Sequence, residues 1–184
     1  DGGPRDNDDA ATGGTAANSS GGGSECRGCP SGMYQPAIGQ TSKRACKPCP
    51  LGRRGPRYFL ALCEACVPGE YQDNTGQTAC KLCQPGKSNA RSGWVNCHKC
   101  APGRHVDRSA ATECGACDAG MYVKVAGATA CLDCPAGSHC AEGASAALLC
   151  AAGSYRANVR GEGPSDCATC PPGRSCTTGA VSAV

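Results

Sequence analysis

Large apolar side chains are sparse along this chain and follow no helical period. From Glu25 onward there are 25 Leu, Ile, Val, Met, Phe, Trp and Tyr residues. They form no apolar stripe of period 3.6 longer than two turns, and no run approaches the ~18 apolar residues that a membrane-spanning helix needs. The pattern predicts short β-hairpins and turns with little or no helix.

Cysteine takes the place of the missing apolar core. The chain has 184 residues and 19 Cys, about a tenth of the total, which is the level of a disulfide scaffold. A conventional single-core globule, including a doubly wound enzyme fold, needs more apolar side chains than are present, so covalent staples must supply much of the order. The net charge of +3 is too small to indicate nucleic-acid binding.

The cysteines recur with a fixed period, which indicates a repeat protein. Five successive steps between C-x-x-C pairs, from Cys46 to Cys131, are each 17 residues long. The steps from Cys26 to Cys46 and from Cys150 to Cys170 are each 20 residues. The C-x-x-C pairs begin at Cys26, Cys46, Cys63, Cys80, Cys97, Cys114, Cys131 and Cys167.

A common phrase follows the second cysteine of each pair and also Cys150. Glycine stands three residues later in all nine cases, which predicts a turn that needs positive φ or a close backbone approach. An aromatic residue or His often follows two positions after this glycine, and we expect it to cover an adjacent bridge. A second glycine recurs ten residues after the cysteine, as at Gly76 and Gly93, and predicts a reversal of the hairpin.

The phrase resembles the ephrin-receptor-like cysteine-rich repeat, a relative of the tumour-necrosis-factor-receptor cysteine-rich module. The resemblance covers about residues 25–176 and implies a secreted or cell-surface protein. The implied fold is small and disulfide-rich: an elongated tandem array of short hairpin repeats. The Cys49 repeat departs from the pattern, because Arg54 replaces the aromatic residue and Phe59 replaces the second glycine.

The resemblance also implies a pairing of the cysteines, which spacing alone does not fix. In the related receptor modules the cysteine that opens the phrase bonds to the first cysteine of the next C-x-x-C. With those pairs assigned, Cys134 is expected to pair with Cys140 and Cys170 with Cys176, at the same short spacing, and Cys150 with Cys167. The implied bridges are Cys29–Cys46, Cys49–Cys63, Cys66–Cys80, Cys83–Cys97, Cys100–Cys114, Cys117–Cys131, Cys134–Cys140, Cys150–Cys167 and Cys170–Cys176. Cys26 is left over, with an expected partner upstream or in another chain.

Two other uses of the cysteines compete with disulfides. The spacing from Cys46 to Cys66 approaches that of a zinc ribbon, but Cys140, Cys150 and Cys176 have no place in tandem zinc sites. A C-x-x-C oxidoreductase is disfavoured because redox motifs occur singly on a βαβ unit. We therefore predict neither metal nor another cofactor.

The segment before the repeats, residues 1–24, is Gly-rich and acidic and contains the glycosylation sequon at Asn18. We expect it to be disordered alone and to need its own array or a neighbouring subunit for order. A basic patch is a candidate receptor for this acidic tail, an acidic glycan or another polyanion. The patch comprises Lys43, Arg44, Lys47, Arg53, Arg54 and Arg57.

The predicted organisation is a tail (1–24), regular 17–20-residue repeats (25–134) and variant repeats with short cysteine loops (135–184), continuing beyond the last residue. No catalytic constellation is visible, so we predict a protein that is not an enzyme. The leading hypothesis is a stiff extracellular rod that assembles with itself or with other extracellular proteins into a surface appendage or fibril. The alternative is a receptor ectodomain or adhesin for a protein or glycan ligand.

Overall fold

The computed structural model describes residues 28–37 and 45–184. Its strands are each two residues long, and consecutive strands pair into eight antiparallel hairpins. The strands are β1 (Met33–Tyr34), β2 (Lys47–Pro48), β3 (Arg53–Arg54), β4 (Glu64–Ala65), β5 (Glu70–Tyr71), β6 (Lys81–Leu82), β7 (Lys87–Ser88), β8 (His98–Lys99), β9 (Arg104–His105), β10 (Gly115–Ala116), β11 (Met121–Tyr122), β12 (Leu132–Asp133), β13 (Ser138–His139), β14 (Leu148–Leu149), β15 (Ser154–Tyr155) and β16 (Ala168–Thr169).

This architecture confirms the predicted fold class of a small disulfide-rich hairpin array with almost no helix. The 3-10 turn Pro164–Asp166 is a short helical element in the described part of the chain. None of the helical structure in this part of the chain is long and apolar enough to cross a bilayer.

Each hairpin begins at an opening cysteine, defined as the cysteine that starts the phrase. After Cys83 the chain turns, with the N–H of Lys87 donating to the carbonyl of Gln84 at 3.0 Å. Strand β7 then pairs with β8, and the N–H of Cys100, the next opening cysteine, donates to the carbonyl of Gly86 at 2.9 Å. The end of one repeat is therefore hydrogen-bonded to its own first turn.

The buried positions recur from repeat to repeat. In the described chain the opening cysteines up to Cys150 are almost fully buried. The position six residues after the opening cysteine is buried in most repeats, whatever residue occupies it. Its buried occupants are Gly55, Gln72, Asn89, Val106, Val123, Cys140 and Cys176.

The polar residues at this buried position hydrogen-bond to the main chain. The amide nitrogen of Gln72 donates to the carbonyl of Ala79 at 2.6 Å, and its amide oxygen accepts from the N–H of Asn74 at 3.1 Å. Because both ends of the side chain are satisfied, the buried amide costs little. Both polar and apolar residues therefore occupy this core position without a change of fold.

Successive repeats are joined by a recurring set of backbone hydrogen bonds. Between the repeats opened by Cys83 and Cys100, Gly86 N–H donates to Val106 at 2.8 Å and Asn89 N–H to Ala111 at 3.1 Å. A third bond runs the other way, from Ala110 N–H to the carbonyl of Cys83, at 2.8 Å. Corresponding bonds recur at the neighbouring interfaces, so the array is a ladder of repeats along one direction.

The third bond of each interface comes from a loop residue with left-handed backbone. This donor has φ between 56° and 82° in every described case. The donors are Phe59, Gly76, Gly93, Ala110, Gly127, Gly143, Arg160 and Gly179. The recurrent second glycine of the sequence thus makes a contact between repeats in addition to reversing its own loop. Phe59 makes the same bond in the Cys49 repeat, so that divergent repeat keeps the geometry.

The recurrent turn glycine is required by a contact with the repeat after next. Gly86 has a φ of +80°, and a Cβ there would overlap the carbonyl oxygen of Gly127, which lies two repeats further along. The same interlock recurs from Gly32 with Gly76 to Gly137 with Gly179. Each repeat therefore contacts both its neighbour and its second neighbour.

The strained loop position predicts opposite effects for the same substitution at two exposed alanines. Ala110→Gly should raise the free energy of unfolding by about 0.5–1 kcal/mol, because it removes the cost of a left-handed alanine. Ala101→Gly, where φ is not positive, should lower it by about the same amount. The midpoint of urea unfolding of the oxidised protein measures both. Equal signs for the two variants would contradict the assignment.

Candidate functional site

Nine disulfides hold the described repeats, and they are the pairs that the family resemblance implies. Six bridges, from Cys29–Cys46 to Cys117–Cys131, and also Cys150–Cys167, close a hairpin loop. Two others, Cys134–Cys140 and Cys170–Cys176, close loops of sequence separation 6. In these two repeats the second sulfur comes from the core position six residues after the opening cysteine. The bridge thus replaces a packed side chain there.

The side chain two residues after the turn glycine lies against the bridge of the following repeat in two described repeats. His105 Nδ1 is 3.2 Å from the sulfur of Cys131, and Ser88 Oγ is 3.3 Å from the sulfur of Cys114. Since both residues lie 26 positions before the cysteine they contact, they occupy equivalent places in the array. The expected covering of an adjacent bridge is therefore seen at His105 across a repeat boundary.

One cluster of the described residues has the donor types of a metal site. The ligand atoms of His105, Cys117 and Cys131 all lie within 4.8 Å of one another. The sulfurs of Cys117 and Cys131 are bonded to each other, whereas a cysteine binds a metal as a free thiolate. A metal and this bridge therefore exclude one another.

The basic patch is partly neutralised within its own hairpin. Arg54 Nε and Arg57 Nη2 lie 3.5 and 3.6 Å from the carboxylate oxygens of Glu64. Arg53 Nη1 donates to the carbonyl of Cys63 at 2.8 Å, and Lys47 is exposed on β2. The three arginines thus make contacts within the repeat, which weakens the case for a polyanion site.

Several sequence-predicted features lie outside the described residues: the tail 1–24 with Asn18, Cys26, and two members of the basic patch, Lys43 and Arg44. The tail-docking role, the glycan and the external partner of Cys26 stay predictions.

An exposed ion pair in the Cys66 repeat shifts two pKa values. Lys81 Nζ donates to Asp73 Oδ1 at 2.6 Å, a hydrogen bond that lowers the pKa of Asp73 and raises that of Lys81. Lys81 Nζ also lies 5.9 Å from the centroid of the Tyr71 ring. Because both charges are exposed, the pair tethers the loop to its strand and contributes little stability.

A second carboxylate with a lowered pKa fastens the loop before the 3-10 turn. Asp166 Oδ2 accepts from the N–H groups of Glu162 and Gly163 at 2.7 and 3.4 Å, which lowers the pKa of Asp166. Its carboxylate also lies 3.7 Å from Arg156 Nη1. These contacts order a loop and supply no reacting pair.

A cleft of about 510 Å³ opens between the repeats that begin at Cys83 and Cys100. Trp94 forms its aromatic wall, and the His98 ring meets the Trp94 ring edge-on with centroids 4.6 Å apart. Basic side chains of Arg91, Lys99 and Arg104 surround it. The cleft therefore combines an aromatic wall with several cations.

Sequence reasoning missed this cleft because its residues are spread over two repeats. Trp94 occupies the position eleven residues after the opening cysteine, where Leu60, Ala111 and Ala128 stand in other repeats. The only available signal was the single Trp of the chain at a position otherwise filled by smaller side chains.

The tandem hairpins and their nine bridges define a small disulfide-rich repeat protein. Two segments, residues 14–57 and 106–148, match the family model described as tyrosine-protein kinase ephrin type A/B receptor-like. No curated protein sequence matches the chain significantly. The chain is an ephrin-receptor-like cysteine-rich repeat protein. Repeats of this type are typically non-catalytic and, with so many bridges, consistent with an extracellular domain.

Bridge formation predicts that the purified protein carries no stoichiometric zinc. The cysteines of the nine bridges should resist alkylation under denaturing conditions until a reductant is added, because a disulfide sulfur is not a nucleophile. Elemental analysis and intact mass after iodoacetamide treatment measure this. Zinc at one or more ions per chain together with alkylation before reduction would revive the zinc-ribbon hypothesis.

Proposed function

We propose that this protein is a non-enzymatic extracellular structural element. It is a stiff disulfide-stapled rod that builds or decorates a surface appendage or fibril through contacts between subunits. The observation that carries this proposal is the interlock of turn glycines with loops two repeats away, exemplified by Gly86 and Gly127.

Contacts with a second neighbour make bending costly. A ladder linked only between adjacent repeats can hinge at any interface, but here a bend must also separate the turn glycine from the loop carbonyl that it abuts. It must break backbone hydrogen bonds as well, such as Gly103 N–H to Val123 at 2.7 Å. The bridge within each repeat prevents the loop from yielding instead. These constraints favour a rod of defined length over a flexible string.

A cluster of exposed apolar residues on the Cys49 repeat suits contacts between subunits. Tyr58, Phe59 and Leu62 are 62%, 74% and 66% exposed. The Tyr58 and Phe59 rings lie 6.5 Å apart. Aromatic residues are enriched in the cores of protein interfaces, and apolar groups exposed together mark association surfaces. We assign the lateral contact of the rod to this loop.

The alternative is a receptor ectodomain or adhesin, and the Trp94 cleft is the observation that favours it. In that case the array holds the cleft at a fixed distance from the cell surface and does not polymerise. The two functions differ in self-association, so assembly state separates them.

Rod shape is the first expected outcome. A compact domain of 184 residues has a radius of gyration of about 16 Å, and small-angle scattering of the oxidised monomer should give a clearly larger value with a rod-like cross-section. Gly86→Ala should also speed amide exchange in the repeats on both sides of it. Gly153→Ala is the matched control, because Gly153 has a φ of +84° but nothing within 4 Å of its Cβ position. A compact particle, or equal exchange in both variants, argues against the rod.

Self-association is the second expected outcome. Sedimentation velocity should show oligomers that grow with concentration, and electron microscopy should show filaments or laterally joined rods. Phe59→Asn combined with Leu62→Ser should abolish them, since Asn tolerates the left-handed backbone of Phe59. The control pair Val125→Asn and Leu132→Ser changes similarly exposed residues elsewhere. A strictly monomeric rod would favour the receptor or adhesin function.

A further inference from the structure

We propose that the cleft between the repeats opened by Cys83 and Cys100 binds an acidic sugar residue, a uronic or sialic acid, of an extracellular glycan. Its carboxylate is bound by Arg91 and Lys99, and its ring packs on Trp94. This inference goes beyond the structural function and does not depend on self-assembly.

The dimensions of the cleft suit one or two sugar rings. Its volume of about 510 Å³ falls in the ~300–1,000 Å³ range of small-molecule sites. The walls come from two consecutive repeats, including the bridged Cys114 and the opening Cys100. Because bridges and backbone ladder hold both repeats, the site is formed before any ligand arrives.

The charge of the cleft selects an anion. Arg91, Lys99 and Arg104 outnumber the one acidic wall residue, Glu113. None of the ion pairs within 28–37 and 45–184 involves Arg91 or Lys99. Both are therefore available to a carboxylate, and arginine binds carboxylates through paired N–H groups.

Two of the cations are positioned by the frame of the repeat. Arg104 Nη1 donates to the carbonyl of Cys114 at 2.9 Å, which fixes the guanidinium at the wall and leaves its other N–H groups for a ligand. The buried side chain of Asn89 accepts from the N–H of Arg91 at 2.9 Å and donates to Glu70 at 2.8 Å. This anchors the backbone of Arg91 to the preceding repeat.

The aromatic wall distinguishes a sugar from a bare anion. Trp94 is half-buried, its carbonyl accepts from Gln72 N–H at 3.1 Å, and His98 supports its ring edge-on. An oriented indole face offers apolar area and C–H contacts to the flat face of a pyranose ring. Sulfate or phosphate alone makes no use of such a face. The pairing of cations with an indole therefore fits a ligand that carries a carboxylate on an apolar ring face.

A peptide fits this site less well. An extended peptide that is recognised through its backbone binds by adding a strand to a free sheet edge of the protein. Here the strands bordering the cleft, β7 and β8, are two residues long, so an added strand would find few backbone groups to pair with. Recognition must come from side chains, which suits a sugar residue.

The test uses the oxidised full chain and the intrinsic fluorescence of Trp94, the one Trp of the chain, so that any change reports on the cleft. The probes are N-acetylneuraminic acid and glucuronic acid, with galactose and sodium acetate as controls. We expect saturable changes with dissociation constants on the order of 1 mM for the acidic sugars. Galactose and acetate should each bind at least about tenfold more weakly, which corresponds to ~1.4 kcal/mol.

Variants test the named contacts. Arg91→Gln and Lys99→Gln should each weaken acidic-sugar binding about tenfold, and Lys124→Gln, an exposed cation outside the cleft, should leave it unchanged. Trp94→Ala removes the fluorophore, so its loss of binding is measured by saturation-transfer NMR on the sugar. Intact mass with all bridges present confirms that the variants fold.

Three results would overturn the proposal. Equal binding of acetate and acidic sugars makes the cleft a general anion site. Fluorescence changes with an acidic peptide such as tetraglutamate, but none with sugars, make the partner a protein. Sugar binding unchanged by Arg91→Gln and Lys99→Gln places the ligand elsewhere.

Discussion

The structure depends on the opening cysteine, which is covalently and hydrogen-bonded to three successive parts of the chain. Cys100 is bonded to Cys114 in its own repeat, donates its N–H to Gly86 of the repeat before, and accepts from Gly127 of the repeat after. Only Val106 and Ala111 join it in its buried cluster, with Cys114 packed against them. One bridge per ~15-residue loop is worth ~3 kcal/mol in the chain-entropy model, so each repeat carries its own source of order.

Every strong contact reaches no further than the next two repeats. The residues that set the shape of the array are therefore different from those that set its surface chemistry. Backbone atoms, glycines and cysteines make the frame, and most other side chains point outward or fill one position per repeat. Arg54 and Phe59 in the Cys49 repeat show this separation, since both depart from the repeat pattern while hairpin and stacking bonds persist. Such a frame is suited to a spacer or rod whose sides are free to carry association loops and ligand sites.

The sequence predicts the frame well because the frame depends on glycine and cysteine, residues that few others can replace. The positions of the turn glycines and the spacing of the hairpins can be read directly from the sequence. The core position does not, because Gln72, Val106 and Cys140 share no chemical property; burial there is imposed by the stack. The pairing of Arg54 and Arg57 with Glu64 is also hidden in the sequence, since the approach of Glu64 to Arg54 depends on the β3–β4 register. The interlock of turn glycines with loops two repeats away requires knowledge of how repeats stack.

The Trp94 cleft, our proposed sugar site, lies between repeats that keep the common backbone frame. The Trp94 carbonyl accepts the N–H of Gln72, as that of Ala111 accepts Asn89 and that of Ala128 accepts Val106. The backbone contact is therefore the same with each side chain, while Ala111 and Leu60 are buried at this position and Trp94 is only half-buried and lines the cleft. Cations at nearby exposed positions complete the proposed site for an acidic ring. The proposed site thus lies at a position where main-chain hydrogen bonds join the repeats, so those bonds persist while the side chain varies.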